Sequence, residues 1–243
     1  MYFHAPIGLI LDFPTGTEDN YKTAMIITKR RMTLGITFLG LSYLNAMTFD
    51  FGPLSQSSVI EVELKTDGNF AKHGIRGNFS NIGGQIHFFP STPTLSDGEV
   101  LLDARSLRFG YNRTNLDAQK EDWLSSKNHP KIAFKLKSLS NIVWKERSLF
   151  AKAHGSLSFK RIKHDFVFPV EIRYFRTERK KYDGKRGDLI TIKGEKSLRL
   201  EDLDMAQGAK LGEISNVVLV KIMLVGASNR VRPLLPTRLL VSP

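Results

Sequence analysis

The chain has 243 residues, 41% of them apolar, and carries 36 Lys and Arg against 24 Asp and Glu, a formal net charge of +12. That apolar content supports one sizeable core. The absence of cysteine excludes disulfides, thiolate metal sites, iron–sulfur clusters and cysteine nucleophiles. The basic balance suits anionic partners such as nucleic acid, lipid head groups or acidic polysaccharide, and says nothing about fold.

Residues 1–24 show no hydrophobic periodicity and read as an N-terminal extension. In the next stretch, 25–46, Lys29, Arg30 and Arg31 precede an uncharged run with Leu34, Ile36, Phe38, Leu39, Leu41 and Leu44 at its heart. A basic stretch before a short apolar one reads as a secretory signal, with Ala46 the residue before the cut, or as an uncleaved anchor. A buried core helix is the third reading. Export implies a periplasmic or cell-envelope location.

From Val59 onward the period is two. Ile60, Val62 and Leu64 alternate with Glu61, Glu63 and Lys65, the pattern of a strand with one wet face. Strands are expected at Phe70–Ile75 and Ile82–Phe89, with Gly77–Ser80 and Asp97-Gly98 as turns. Val100, Leu102 and Ala104 mark the next strand. Leu116–Ser125 has helical composition, with Asn115 as N-cap, and His129-Pro130 ends it.

Strands then resume with Ile132, Phe134 and Leu136. Leu149, Ala151, Ala153, Gly155, Leu157 and Phe159 share one face, and Phe166, Phe168, Val170, Ile172 and Tyr174 another. The small residues Ala151, Ala153 and Gly155 fit either a tapering packed core or room left for a ligand. Leu189–Lys193 and Ser197–Leu200 read as two shorter strands. Val217–Val225, almost wholly apolar, suits a strand covered on both sides. A proline-bearing tail, 228–243, closes the chain. Many short strands with regular turns argue for an all-β barrel or sandwich.

Several fragments, in order, resemble the YceI-like family. They are His73, Ile75, Gly77 and Phe79, then Gly84, Ile86 and Phe88, then Glu99 to Leu107, then Trp123-Leu and His129-Pro130 to Phe134. Gly155 to Phe159 and Phe168-Pro-Val complete the series. The match spans roughly 58–227. It implies a lipocalin-like, eight-stranded antiparallel barrel with one short helix and a long apolar pocket for a polyisoprenoid chain. One departure stands out. The family's Arg-Asp-x-His motif at the helix start has no counterpart in Asn112-Arg-Thr-Asn115.

If the tube is hollow as the resemblance implies, its lining comes from Ile75, Phe79, Ile86, Phe88, Val100, Leu102, Trp123, Ile132, Phe134, Leu157, Phe159, Phe166 and Phe168. The expected ligand is an apolar lipid, either a polyisoprenoid or an isoprenoid quinone. Burying its tail would contribute ~25 cal/mol per Å². His73 is the histidine that matches a family position. The basic stretch Arg173–Arg186 reads as a hairpin tip in which Arg179, Lys180 and Lys181 contact head groups or an anionic membrane surface. A second copy of the chain is a further expected partner; nucleic acid is not.

No catalytic elbow, phosphate loop or dinucleotide fingerprint is present, and the histidines show no metal spacing. The readings are therefore a non-catalytic lipid carrier, an envelope interaction protein with a filled barrel and a basic surface, and, last, an enzyme acting on lipid. No cofactor is expected beyond the lipid itself.

Overall fold

The computed structural model describes residues 46–66, 74–205 and 214–229. The expectations for 1–45, for His73 and for the tail from 230 lie outside them. Eleven strands form one sheet: β1 Met47–Asp50, β2 Val59–Thr66, β3 Ile75–Phe79, β4 Ile82–Phe88, β5 Asp97–Asp103, β6 Leu107–Phe109, β7 Lys131–Lys145, β8 Ser148–Phe159, β9 Ile162–Phe175, β10 Leu189–Arg199 and β11 Ile214–Ala227. All pairs are antiparallel. The ring β1-β4-β5-β7-β8-β9-β10-β11 closes through β1 against β11, at Asp50 opposite Ala227. The result is the expected eight-stranded barrel. The short strands β2, β3 and β6 continue three of its staves, β2 on β11, β3 on β2 and β6 on β3.

Alternation builds the interior. Ile60 and Leu64, Ile82 and Ile86, Leu149, Ala151 and Ala153, and Phe168, Val170 and Ile172 all turn inward and are buried. Call the end reached by Phe175 of β9 the upper end and the end where Ile162 begins it the lower. Phe49, Phe51, Phe88, Leu149 and Ile190 are fully buried toward the upper end. The segment 112–130, carrying buried Trp123 and Leu124, and the turn with buried Leu200 and Leu203 cover the lower.

Several local expectations are corrected. The barrel starts at Met47 rather than 58, because β1 supplies the strand that closes it. Gly77-Asn78-Phe79 belongs to β3: a side chain at Gly77 would run into the Phe109 ring, 2.6 Å from the added carbon. Asp97-Gly98 opens β5, and the turn lies earlier, at Pro93–Leu95. The helix, α1, spans Asn112–Ala118 and ends before Trp123. Asn115 sits inside it, where its Oδ1 accepts the Phe109 N–H at 2.5 Å instead of capping. Leu116 is exposed. Leu189–Lys193 and Ser197–Leu200 merge into β10, which runs unbroken through Gly194 to Arg199. On β11 only Val225 and Ala227 gain an outer cover, from Leu54 and Leu189, while Met223 stays exposed.

Gly155 settles the small-residue stripe. A carbon added there would lie 2.4 Å from Phe134 Cζ and 2.5 Å from the Lys135 carbonyl oxygen. Its missing side chain is therefore filled by the Phe134 ring. Ala153, by contrast, borders open space.

Candidate apolar binding cavity

The inward faces do not meet at the barrel axis. An upper chamber of about 140 Å³ lies between β2, β4, β5 and β7–β11, with Phe51, just past β1, also in its wall. A lower one of about 120 Å³ lies above Trp123, Leu203 and Met205. Both are lined by Ile60, Leu102, Ile132, Leu157, Leu198 and Val220, so they adjoin along the inside of the barrel. One water needs roughly 10–15 Å³ of such space. The walls offer it almost no hydrogen-bonding surface, so the space suits hydrocarbon rather than water.

Of the sequence-stated lining, Ile86, Val100, Phe134, Phe166 and Phe168 border the upper chamber. Phe79, Trp123 and Phe159 border the lower, and Leu102, Ile132 and Leu157 border both. Phe88 is buried in the core away from both chambers, and Ile75 is half-buried at its edge. The rings of Phe134 and Phe168 meet edge to face at 5.5 Å and narrow the tube beside the upper chamber. Residues absent from the expected lining include Phe51, Leu139, Ala153, Ile192, Leu198 and Ile222. Alternation alone could have found Ile192, Leu198 and Ile222. Leu139 hides behind a register shift in β7 between Leu136 and Ser138, which resets the inward phase.

Three polar residues border the upper chamber: Gln85, Glu99 and Lys196. Gln85 and Glu99 stand opposite each other on β4 and β5, in register with outward positions. Lys196 shares the inward face of β10 with Ile192 and Leu198. Among the described residues it is the one charged side chain on the inward register of this wall.

The upper rim holds a correction. Arg179, expected among exposed cations, is 1% exposed. It precedes the short helix α2, Lys180–Asp183. Its Nε and Nη2 donate to the Asp183 carboxylate at 3.0 and 2.8 Å, and its Nη1 donates to Ser228 O at 3.2 Å and Asn229 Oδ1 at 2.5 Å. It ties the β9–β10 connection to the end of β11 and cannot meet a surface. The Arg179 guanidinium holds the Asp183 carboxyl below the usual carboxylate range. Nearby, buried Asp188 accepts from Tyr174 Oη at 2.8 Å and from the Thr177 N–H at 2.7 Å. Lys180 and Lys181 are exposed, and Lys181 pairs with Glu178 at 2.7 Å.

The described histidines are dispersed. His87 Nδ1 meets Asp97 at 2.8 Å on the outer face, and His154 Nε2 meets Ser140 Oγ at 2.6 Å. Among the described residues no cluster of His, Asp and Glu could hold a metal ion, and no helix is long and apolar enough to cross a membrane. Neither chamber is lined by a hydroxyl or an imidazole.

Comparison with known proteins accords with this geometry. A family model described as a YceI-like domain matches residues 54–225. No curated protein matches the sequence. Among solved structures, BcnA of Burkholderia cenocepacia is similar at 16% identity and a TM-score of 0.57, covering 70% of this chain and 97% of that one. The YCEI protein of Campylobacter jejuni is similar at 17% and 0.53, covering 68% and 94%. A polyisoprenoid binding domain from Saccharophagus degradans, implicated in plant cell wall breakdown, is similar at 9% and 0.54, covering 76% and 99%.

Proposed function

The chain belongs to the YceI-like family, and from that premise we propose that its barrel is a non-catalytic binder and carrier of one long apolar lipid of polyisoprenoid type in the bacterial envelope. The observation that carries this is the interior: two adjoining chambers walled almost wholly by hydrocarbon inside a closed barrel. A branched hydrocarbon chain needs little more than continuous apolar contact, which these walls supply. The Saccharophagus domain, similar in fold, is described as polyisoprenoid-binding, which supports the same ligand class here.

The lack of hydroxyl and imidazole groups along the chambers supports binding without chemistry. The void itself speaks against a filled barrel serving only as an interaction surface. An envelope location rests on the basic-then-apolar stretch ahead of Ala46, after which β1 begins directly at Met47. The accompanying surface partner is an anionic membrane, met by Lys180 and Lys181. Extraction of the purified full chain into organic solvent, followed by mass spectrometry, tests the reading. One isoprenoid per chain is expected; a lipid-free protein that also takes up no added prenol would refute it.

A further inference from the structure

The ladder between β9 and β10 stops partway down the barrel. Pairs run from Phe175–Leu189 to Val170–Gly194 and no further. Below that point β9 continues on β8 as far as Ile162, and β10 continues on β11 as far as Arg199. The wall therefore forks. Pro169 supplies the cause: it has no N–H to donate, and its pairing with Lys152 of β8 is intact, so the bond it lacks is on the β10 side.

The fork is closed below. Lys160, in the β8–β9 turn, donates from Nζ to Asp204 O at 2.8 Å, which joins that turn to the turn after β10. What remains is a window, bounded above by the Val170–Gly194 pair and below by this bridge. Phe166 and Phe168 form one lip; Lys196 and Leu198 form the other; all four line the upper chamber. The unpaired stretch thus borders the apolar chamber directly.

Two polar groups sit at this stretch of wall, Lys196 on β10 and His164 on β9. The Lys196 ammonium crosses the gap, donating to Val167 O at 3.3 Å and lying 5.7 Å from the Phe166 ring centroid. The His164 ring centroid lies 6.2 Å from that of Phe166. Its Nε2 is buried without a hydrogen-bond partner. A long, loosely held ammonium bond and an unsatisfied buried imidazole nitrogen are both groups that a ligand's polar end would satisfy.

We infer that the window between β9 and β10 is the port of the tube, and that Lys196 holds the acidic head of a single-tailed amphiphile. This rests on the cavity reading given above and adds the head group and the point of entry. The tail lies between Phe166, Phe168 and Leu198 and runs into the chambers. The head, a phosphate or carboxylate, stays at the window, where it replaces the Val167 carbonyl as the partner of Lys196. A neutral prenol would fill the tube but gain nothing from the lysine.

The test uses the full chain, stripped of lipid, with geranylgeranyl monophosphate and geranylgeraniol as paired probes. The wild-type protein is expected to prefer the phosphate by at least about tenfold, the scale of one charge-assisted hydrogen bond. Lys196→Met, which keeps the apolar stem, should abolish that preference by weakening binding of the phosphate. Lys196→Arg should retain it. Lys193→Met, on the outward face of the same strand, should leave it intact and controls for net charge. Equal affinity of the wild type for both probes, or a preference that survives Lys196→Met, overturns the inference and leaves the apolar tube standing. Binding of neither probe overturns the tube as well. Entry is read separately, since the chain has no cysteine of its own. A bulky maleimide on Lys196→Cys should block loading, and the same label on Lys193→Cys should not. Normal loading of the labelled Lys196→Cys protein would place the port elsewhere.

Discussion

Above the Val170–Gly194 pair, β9 and β10 are laddered, and the polar groups of their connection are satisfied by one another: Arg179 by Asp183, Ser228 and Asn229, Asp188 by Tyr174 and Thr177. Below that pair the ladder ends, and two of the strands' polar groups are poorly satisfied, Lys196 by one long bond and His164 Nε2 by none. The upper end also carries the fully buried Phe49, Phe88 and Ile190, whereas hollow space lies behind Phe166, Phe168, Lys196 and Leu198. A low-dielectric interior magnifies both the value of a satisfied network and the cost of an unsatisfied one. The sealed end therefore spends its polar groups on stability, and the forked half leaves them free for a ligand.

The largest effect expected from breaking this contrast comes from filling the hollow half. Ala153→Trp places a ring in the upper chamber beside Phe134 and Phe168. Keeping about 100 Å² of tail in water, at ~25 cal/mol per Å², weakens lipid binding close to a hundredfold. Titration with a long-chain prenol checks this, with melting temperature as the control for folding.

Gly155→Ala attacks the packed wall beside that space. The added methyl meets both the Phe134 ring and the Lys135 carbonyl oxygen. Because backbone cannot move aside cheaply, a loss of about 2–3 kcal/mol in denaturant unfolding is expected. Arg179→Met probes the sealed end. It removes the bonds to Ser228 O and Asn229 and should cost roughly 2 kcal/mol while leaving lipid affinity unchanged.

Acid sharpens the same point. The Asp183 carboxyl is held below its ordinary value by the Arg179 hydrogen bond. A depressed folded value contributes stability that is fully present above the unfolded value of about 3.9 and is lost as pH falls through the lower folded one. Melting temperature should therefore fall below about pH 4, and Asp183→Asn should flatten that part of the profile. The smallest effect belongs to Lys180→Gln with Lys181→Gln. Stability should shift by no more than about 0.5 kcal/mol. Binding to anionic vesicles should weaken by roughly 1 kcal/mol per lysine near the surface.

The inward faces were legible because a strand's period is two, and Ile60, Leu157 or Phe168 could be placed without coordinates. The fork was not. Pro169 lies within an apolar alternation that continues past it, so the pattern gives no sign that one edge of β9 goes unpaired. Lys196 was invisible for a related reason: a charge between Glu195 and Ser197 looks like a break between two strands, and the structure instead runs one strand through it. Arg179 was misjudged because composition cannot tell a solvated cation from one enclosed by Asp183, Ser228 and Asn229. In the helical region, Asn115 has the chemistry of a cap, but the carbonyl of its side chain is claimed by Phe109.

The most direct test of the central claim is native mass spectrometry of the full chain purified from a bacterium that produces it, beside the Ala153→Trp variant. The account predicts a wild-type mass raised by a single prenyl lipid, and a variant of equal folded stability with the lipid missing. A wild-type protein that flies at its bare mass and remains bare after incubation with prenyl lipids would contradict it.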